Sequence, residues 1–150
     1  MRLVILMAAA GLVAGCQSLT SFESVAETQW RTNSDKWRAA GISSYQLQMR
    51  SECFCGEPTG SVRIVVQNGT VQSRTMLDTD APVEAGFTKW FPDVPGLFGA
   101  VRNALDRKAT YLATTYDPTY GYPTTIRIDF SGGALGDKEN YYVESFTVLK

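Results

Sequence analysis

At 150 residues, 44% of them hydrophobic and 19% charged, the chain has the make-up of one globular domain rather than of a disordered segment. A formal net charge of -1 gives it no basic surface for phosphates, so no nucleic-acid partner is expected. It has no histidine, which removes Ser-His and Cys-His dyads, histidine metal sites and the usual general base near neutral pH; neither an enzyme nor a cofactor is expected.

The chain opens with Arg2, an apolar run over Leu3–Val13, and the small pair Ala14-Gly15 before Cys16. That is an export signal too short to remain as an ordinary membrane-spanning helix. Leu12–Cys16, reading Leu-Val-Ala-Gly-Cys, resembles the lipobox of bacterial lipoproteins. The resemblance implies cleavage before Cys16 and lipidation of its thiol and new amino terminus, making the membrane a partner through lipid. The alternative is plain secretory cleavage with Cys16 left as a thiol. Gln17, where an Asp would resemble an inner-membrane retention signal, points to the periplasmic face of an outer membrane if the host has one. The expected divisions are a signal peptide over 1–15, a tether over 16–21 and one domain over 22–150.

Thr20 and Glu23 match a capping box, and Phe22, Ala26, Trp30, Asn33, Trp37 and Ala40 recur at helical spacing up to Gly41. The spacing predicts a helix over 22–40. Tyr45, Leu47 and Met49 then alternate with Gln46, Gln48 and Arg50, and Val62, Ile64 and Val66 alternate ahead of Asn68-Gly69. These patterns predict two strands, with a tight hairpin pairing Gln67 with Thr70 and Val66 with Val71. Periodicity lapses over Leu77–Pro95, which reads as a long loop carrying Phe87, Trp90 and Phe91. Asp93 caps a second predicted helix with Pro95 in its first turn, and Leu97, Phe98, Val101 and Leu105 form its apolar stripe. Leu112, Thr114 and Tyr116 mark another strand, Asp117–Pro123 a turn, and Ile126, Ile128 and Phe130 the next strand. A loop with Gly132, Gly133 and Gly136 follows. In the last run, Tyr141 and Val143 are out of phase with Phe146 and Val148, which calls for a bulge near Glu144–Ser145. The order helix, three strands, helix, three strands predicts an α+β fold, an antiparallel sheet with helices on one face, and a possible internal duplication.

Several patterns line up: Trp37 with Tyr45 and Leu47, Cys53-Phe-Cys55, Tyr116-Asp117-Pro118, Gly121-Tyr122-Pro123, and Ile126-x-Ile128-Asp129. Together they resemble a family of small bacterial lipoproteins known only as a domain of unknown function. The resemblance implies an envelope α+β domain and brings no established activity and no catalytic residues.

Cys53 and Cys55 share strand parity, and in an exported chain with Cys16 lipidated they have only each other as intramolecular partners. A structural disulfide, a thiol-exchange pair, a soft-metal site such as copper(I), to which Met49 adds a thioether only if the strand end curls, and two inert thiols all remain open. Tyr120 and Tyr122, in a turn stiffened by Asp117, Pro118 and Pro123, read either as a rigid connection or as a presented aromatic surface. Asp129, Asp137 and Glu139 match no calcium-loop spacing and read as solvated charges. The sequence points to a non-enzymatic, lipid-anchored envelope module that binds a protein, peptide or glycan through Phe87, Trp90, Phe91, Tyr120 and Tyr122. The alternative is a thiol-redox or copper-handling lipoprotein working through Cys53 and Cys55.

Overall fold

Helix α1, Val25–Ala40, starts where the Ser24 hydroxyl accepts the Glu27 amide N–H at 3.1 Å, and it stops at Gly41 in the left-handed region (φ 63°). The computed structural model describes residues 24–53, 59–133 and 137–150. The helix therefore begins later than the expected residue 22 and takes its cap from Ser24; the expected capping box at Thr20 and Glu23, with Phe22, lies outside the described residues. Among the described residues no helix is long and apolar enough to cross a membrane.

Six strands follow: β1 (Tyr45–Glu52), β2 (Ser61–Gln67), β3 (Thr70–Met76), β4 (Tyr111–Tyr116), β5 (Pro123–Asp129) and β6 (Lys138–Val148). They form one antiparallel sheet in the order β3-β2-β1-β6-β5-β4. The hairpin at Asn68-Gly69 forms as expected, with both residues at positive φ (50° and 74°) and Gln67 opposite Thr70. The bulge in β6 falls at Glu144, because Gln48 pairs with Ser145 while Met49 pairs with Val143. That one extra residue lets Tyr141 and Phe146 both face the core.

The stretch over Leu77–Pro95 is more structured than a loop. Pro82 bridges to Thr75, and Ala85–Trp90 forms a short 3-10 helix. The second long helix, α2 (Val94–Asp106), is capped as expected by the Asp93 carboxylate, which accepts the Gly96 amide N–H at 3.0 Å.

Both helices lie on one sheet face, over a core in which Leu47, Met49, Val62 and Ile64 are fully buried. Burial of each such side chain contributes roughly 1.5–3 kcal/mol. The indole N–H of Trp30 donates to the Phe98 carbonyl at 3.0 Å, and Arg102 pairs with Glu27, so the helices are tied to each other as well as to the sheet. The Tyr45 hydroxyl accepts the Val94 amide N–H at 3.1 Å and fixes the start of α2 over β1. Among the described residues, the opposite sheet face carries no helix. There Gln46, Gln48, Arg50, Arg63, Arg127 and Tyr142 occupy the polar phase of the strands.

Candidate functional site

The turn at Asp117–Pro123 is built as a rigid connection. One Asp117 carboxylate oxygen accepts the amide N–H groups of Thr119 (2.9 Å) and Tyr120 (2.6 Å), and the Asp117 amide N–H donates to the Tyr122 carbonyl at 2.8 Å. Gly121 has φ +80°, and a Cβ there would stand 2.6 Å from the Asn33 carbonyl oxygen in α1. The Lys36 ammonium donates to the Pro118 carbonyl at 2.8 Å, clamping the turn to the same helix. Tyr122 is consequently buried, stacked on Phe146 with ring centroids 4.5 Å apart and edge-on to Trp37 at 6.3 Å. Burial, with Asp117 and Tyr120 nearby, raises its hydroxyl pKa to about 12. Tyr120 is half-buried against Phe146.

Two of the aromatic residues expected on a ligand surface are therefore core residues. Phe91 is fully buried and Tyr122 is 8% exposed, because the 3-10 segment and the Asp117 turn both fold inward onto apolar surface. Phe87 and Trp90 are half-buried, and Trp90 carries the Lys89 ammonium over its ring at 4.8 Å.

Cys53 follows directly on β1, beside a hollow of about 280 Å³ lined by Glu52, Cys53, Lys138 and Asn140. Cys16 and Cys55 lie outside the described residues. Met49 does not curl towards Cys53; β1 continues straight through it to Glu52 and its side chain is fully buried, so it is no thioether ligand for that end. Asp129 accepts the amide N–H groups of Gly132 (2.8 Å) and Ser131 (3.1 Å) and meets Lys138 at 3.6 Å. Those hydrogen bonds, Gly132's above all, and the Lys138 ammonium hold its pKa below the ordinary carboxylate value. Glu139 instead takes the Tyr141 hydroxyl at 3.2 Å. Among the described residues no three metal-ligating side chains gather.

The side chains that do gather are on the open sheet face. Arg50 lies over the Tyr142 ring at 4.2 Å and pairs with Glu52 and, at 3.5 Å, with Glu144. Further along, the hydroxyls of Tyr142, first, and of Tyr111 act on the Arg127 guanidinium and raise its already high pKa. Tyr111, Arg127, Tyr142 and Arg50 thus make a connected polar-aromatic row across β4, β5, β6 and β1. A different feature opens between the helices, a groove of about 420 Å³ lined by Trp30, Ser34, Trp37, Arg38, Pro95 and Phe98.

The row was visible in the sequence only as the polar phase of each strand. Its members come from four strands, and no local spacing brings them together. An Arg or a Tyr in a polar phase, where a short neutral side chain would serve, was the available signal.

Residues 29–148 match a family described as a family of unknown function, DUF6174. No curated protein and no solved structure matches the chain. With the match running from the second turn of α1 to the end of β6, the chain belongs to the DUF6174 family of unknown function.

Proposed function

We propose that this protein is a lipid-anchored cell-envelope module that binds an envelope protein or peptide through the uncovered side of its sheet and performs no chemistry of its own. The observation that carries the reading is the connected row of Tyr111, Arg127, Tyr142 and Arg50. Arg50 lies over the Tyr142 ring, and the Tyr142 and Tyr111 hydroxyls act on Arg127. Preorganised aromatic and arginine side chains are the commonest energetic anchors of protein interfaces. The helix-covered face, by contrast, is consumed by the core.

The anchor in this reading is Cys16, whose diacyl or triacyl modification exceeds the two-chain requirement for stable membrane attachment. From Cys16 to Ser24 the chain reaches at most about 29 Å when fully extended, which keeps the domain near the membrane, on the periplasmic face of an outer membrane in a host that has one. Cys53 is engaged rather than free, and in this reading it forms a structural disulfide with Cys55.

Intact mass of the protein from native membranes, after thiol alkylation with and without reduction, tests the anchor and the thiols together. The expected species starts at Cys16, carries two or three acyl chains, and resists alkylation at Cys53 and Cys55 until strong reductant is added. An unlipidated chain overturns the anchor. Thiols that alkylate freely or carry copper move the redox or metal reading to first place. Binding is tested by photoreactive residues placed in turn at Gln48, Tyr142 and Ala113 on the open face and at Arg31 on α1. Crosslinks to an envelope component from the open face are expected, and none from any position overturns the binding reading.

A further inference from the structure

The two outer strands of the sheet are treated differently by the rest of the chain. On the far side of β3 the Met76 amide N–H donates to the Ala81 carbonyl and the Val83 amide N–H donates to the Arg74 carbonyl, both at 2.9 Å, so residues 81–83 cover its end. Among the described residues, no backbone group of β4 is hydrogen-bonded beyond its ladder with β5. The sequence of β4, Tyr-Leu-Ala-Thr-Thr-Tyr, has no charge and no proline to discourage a further strand.

The register on the open face adds a second observation. Arg127 in β5 stands directly opposite Ala113 in β4. The smallest side chain of that strand thus lies between the guanidinium and the free edge, flanked by Tyr111 (52% exposed) and Thr115. The open face carries the cations Arg50, Arg63, Arg127 and Lys138. Arg50, Arg63 and Lys138 each meet a carboxylate within 4 Å, whereas Arg127, among the described residues, has only tyrosine hydroxyls. On the other side of β4, a recess of about 190 Å³ lies between it, α1 and α2, lined by Ala26, Gln29 and Val101 and by β4 from Leu112 through Ala113 and Thr114 to Tyr116.

We propose that β4 is a strand-addition site for an extended acidic segment of a partner protein. A Glu or Asp beside Ala113 reaches Arg127, and the residues before and after it turn into the recess under β4. Alternation does the sorting: successive side chains of an added strand face opposite sides, so one set meets the guanidinium and the other the recess. Backbone hydrogen bonds to the free edge supply affinity, and the charge-assisted bond to Arg127 supplies the preference for an acid. A second copy of this chain is the poorer occupant, because β4 pairing with itself brings no carboxylate to Arg127.

The inference rests on the binding reading above, and the two fail separately. Crosslinks captured only from Gln48 and Tyr142, away from the edge, leave that reading standing and remove the β4 assignment. The direct test uses the lipidated full chain in detergent micelles with two synthetic peptides, one alternating valine with glutamate and one alternating valine with lysine. The glutamate peptide is expected to bind and to slow exchange of the β4 amides that point away from β5, and the lysine peptide is expected not to bind. Arg127→Gln is expected to weaken the glutamate peptide by about tenfold or more. Ala113→Glu, which supplies the carboxylate from within the chain, is expected to abolish binding, and both variants are expected to keep the wild-type melting temperature. Equal binding of the two peptides, indifference to Arg127→Gln, or unprotected β4 amides overturns the proposal. Protection of β4 that rises with protein concentration alone, together with a dimer mass, also overturns it by giving the edge to a second copy.

Discussion

The β3 edge and the β4 edge bound the same sheet, yet only one is closed by the chain itself. Behind β3, residues 81–83 add hydrogen bonds, the Arg74 guanidinium donates to the Phe91 carbonyl at 2.7 Å, and Phe91 drives its ring into the core. Among the described residues, no segment is hydrogen-bonded to the outer side of β4, and β4 itself carries no charge. An uncovered strand of high β-propensity invites pairing, and proteins ordinarily blunt it. Among the described residues, then, the chain covers the β3 edge and leaves the β4 edge uncovered.

The sharpest check on that contrast is amide exchange of the free protein. The Met76 and Val83 amides are expected to exchange several orders of magnitude more slowly than the outward amides of β4, which have no partner to break. Equal rates at the two edges would erase the comparison. Phe91→Ala strikes the β3 cover at its root. Removing a fully buried ring is expected to cost about 3–5 kcal/mol, read as a lower midpoint in urea unfolding. Arg74→Ala cuts only the tie to the Phe91 carbonyl, and a loss of about 1.5–3 kcal/mol is expected in the same measurement. If Arg74→Ala is neutral, the cover is held by Phe91 alone.

The smallest expected effect is at the β4 side and depends on pH. The Thr110 hydroxyl donates to the Asp129 carbonyl at 2.8 Å, so the turn that Asp129 organises also sits at the entry to β4. Because the folded state lowers the Asp129 pKa, its contribution is fully present above the ordinary carboxylate value. That contribution drains away as pH falls below about 4, through the native value. Asp129→Asn is expected to lower stability slightly at neutral pH and to converge on the wild type towards pH 2, which flattens the acid limb, as measured by thermal melts from pH 2 to 7.

Much of the fold was legible locally. Asn68-Gly69 could only be a tight turn between alternating runs, Asp93 with Pro95 could only open a helix, and the phase break before Phe146 demanded an extra residue, found at Glu144. Each of these signals spans a few neighbouring positions. The places where the sequence misled are those where burial is decided at long range. Phe91 and Tyr122 sit in proline-rich, aperiodic stretches that look like surface, and only their packing against β1, β6 and α1 shows otherwise. The meeting of Ala113 with Arg127 depends on the β4-β5 register, and the row from Tyr111 to Arg50 depends on the strand order. Neither can be read from spacing along the chain.

The seam at the middle of the sheet has a consequence for when this protein becomes a protein. Strands β1 and β6 lie side by side, Tyr45 opposite Val148, so the first strand made waits for the last before the two halves join. Closing a loop of that length must precede the contacts that reward it, which makes the joining step slow relative to either hairpin. A chain threaded through a narrow pore from its amino terminus would stay divided, its halves unable to lock, until β6 had cleared the exit.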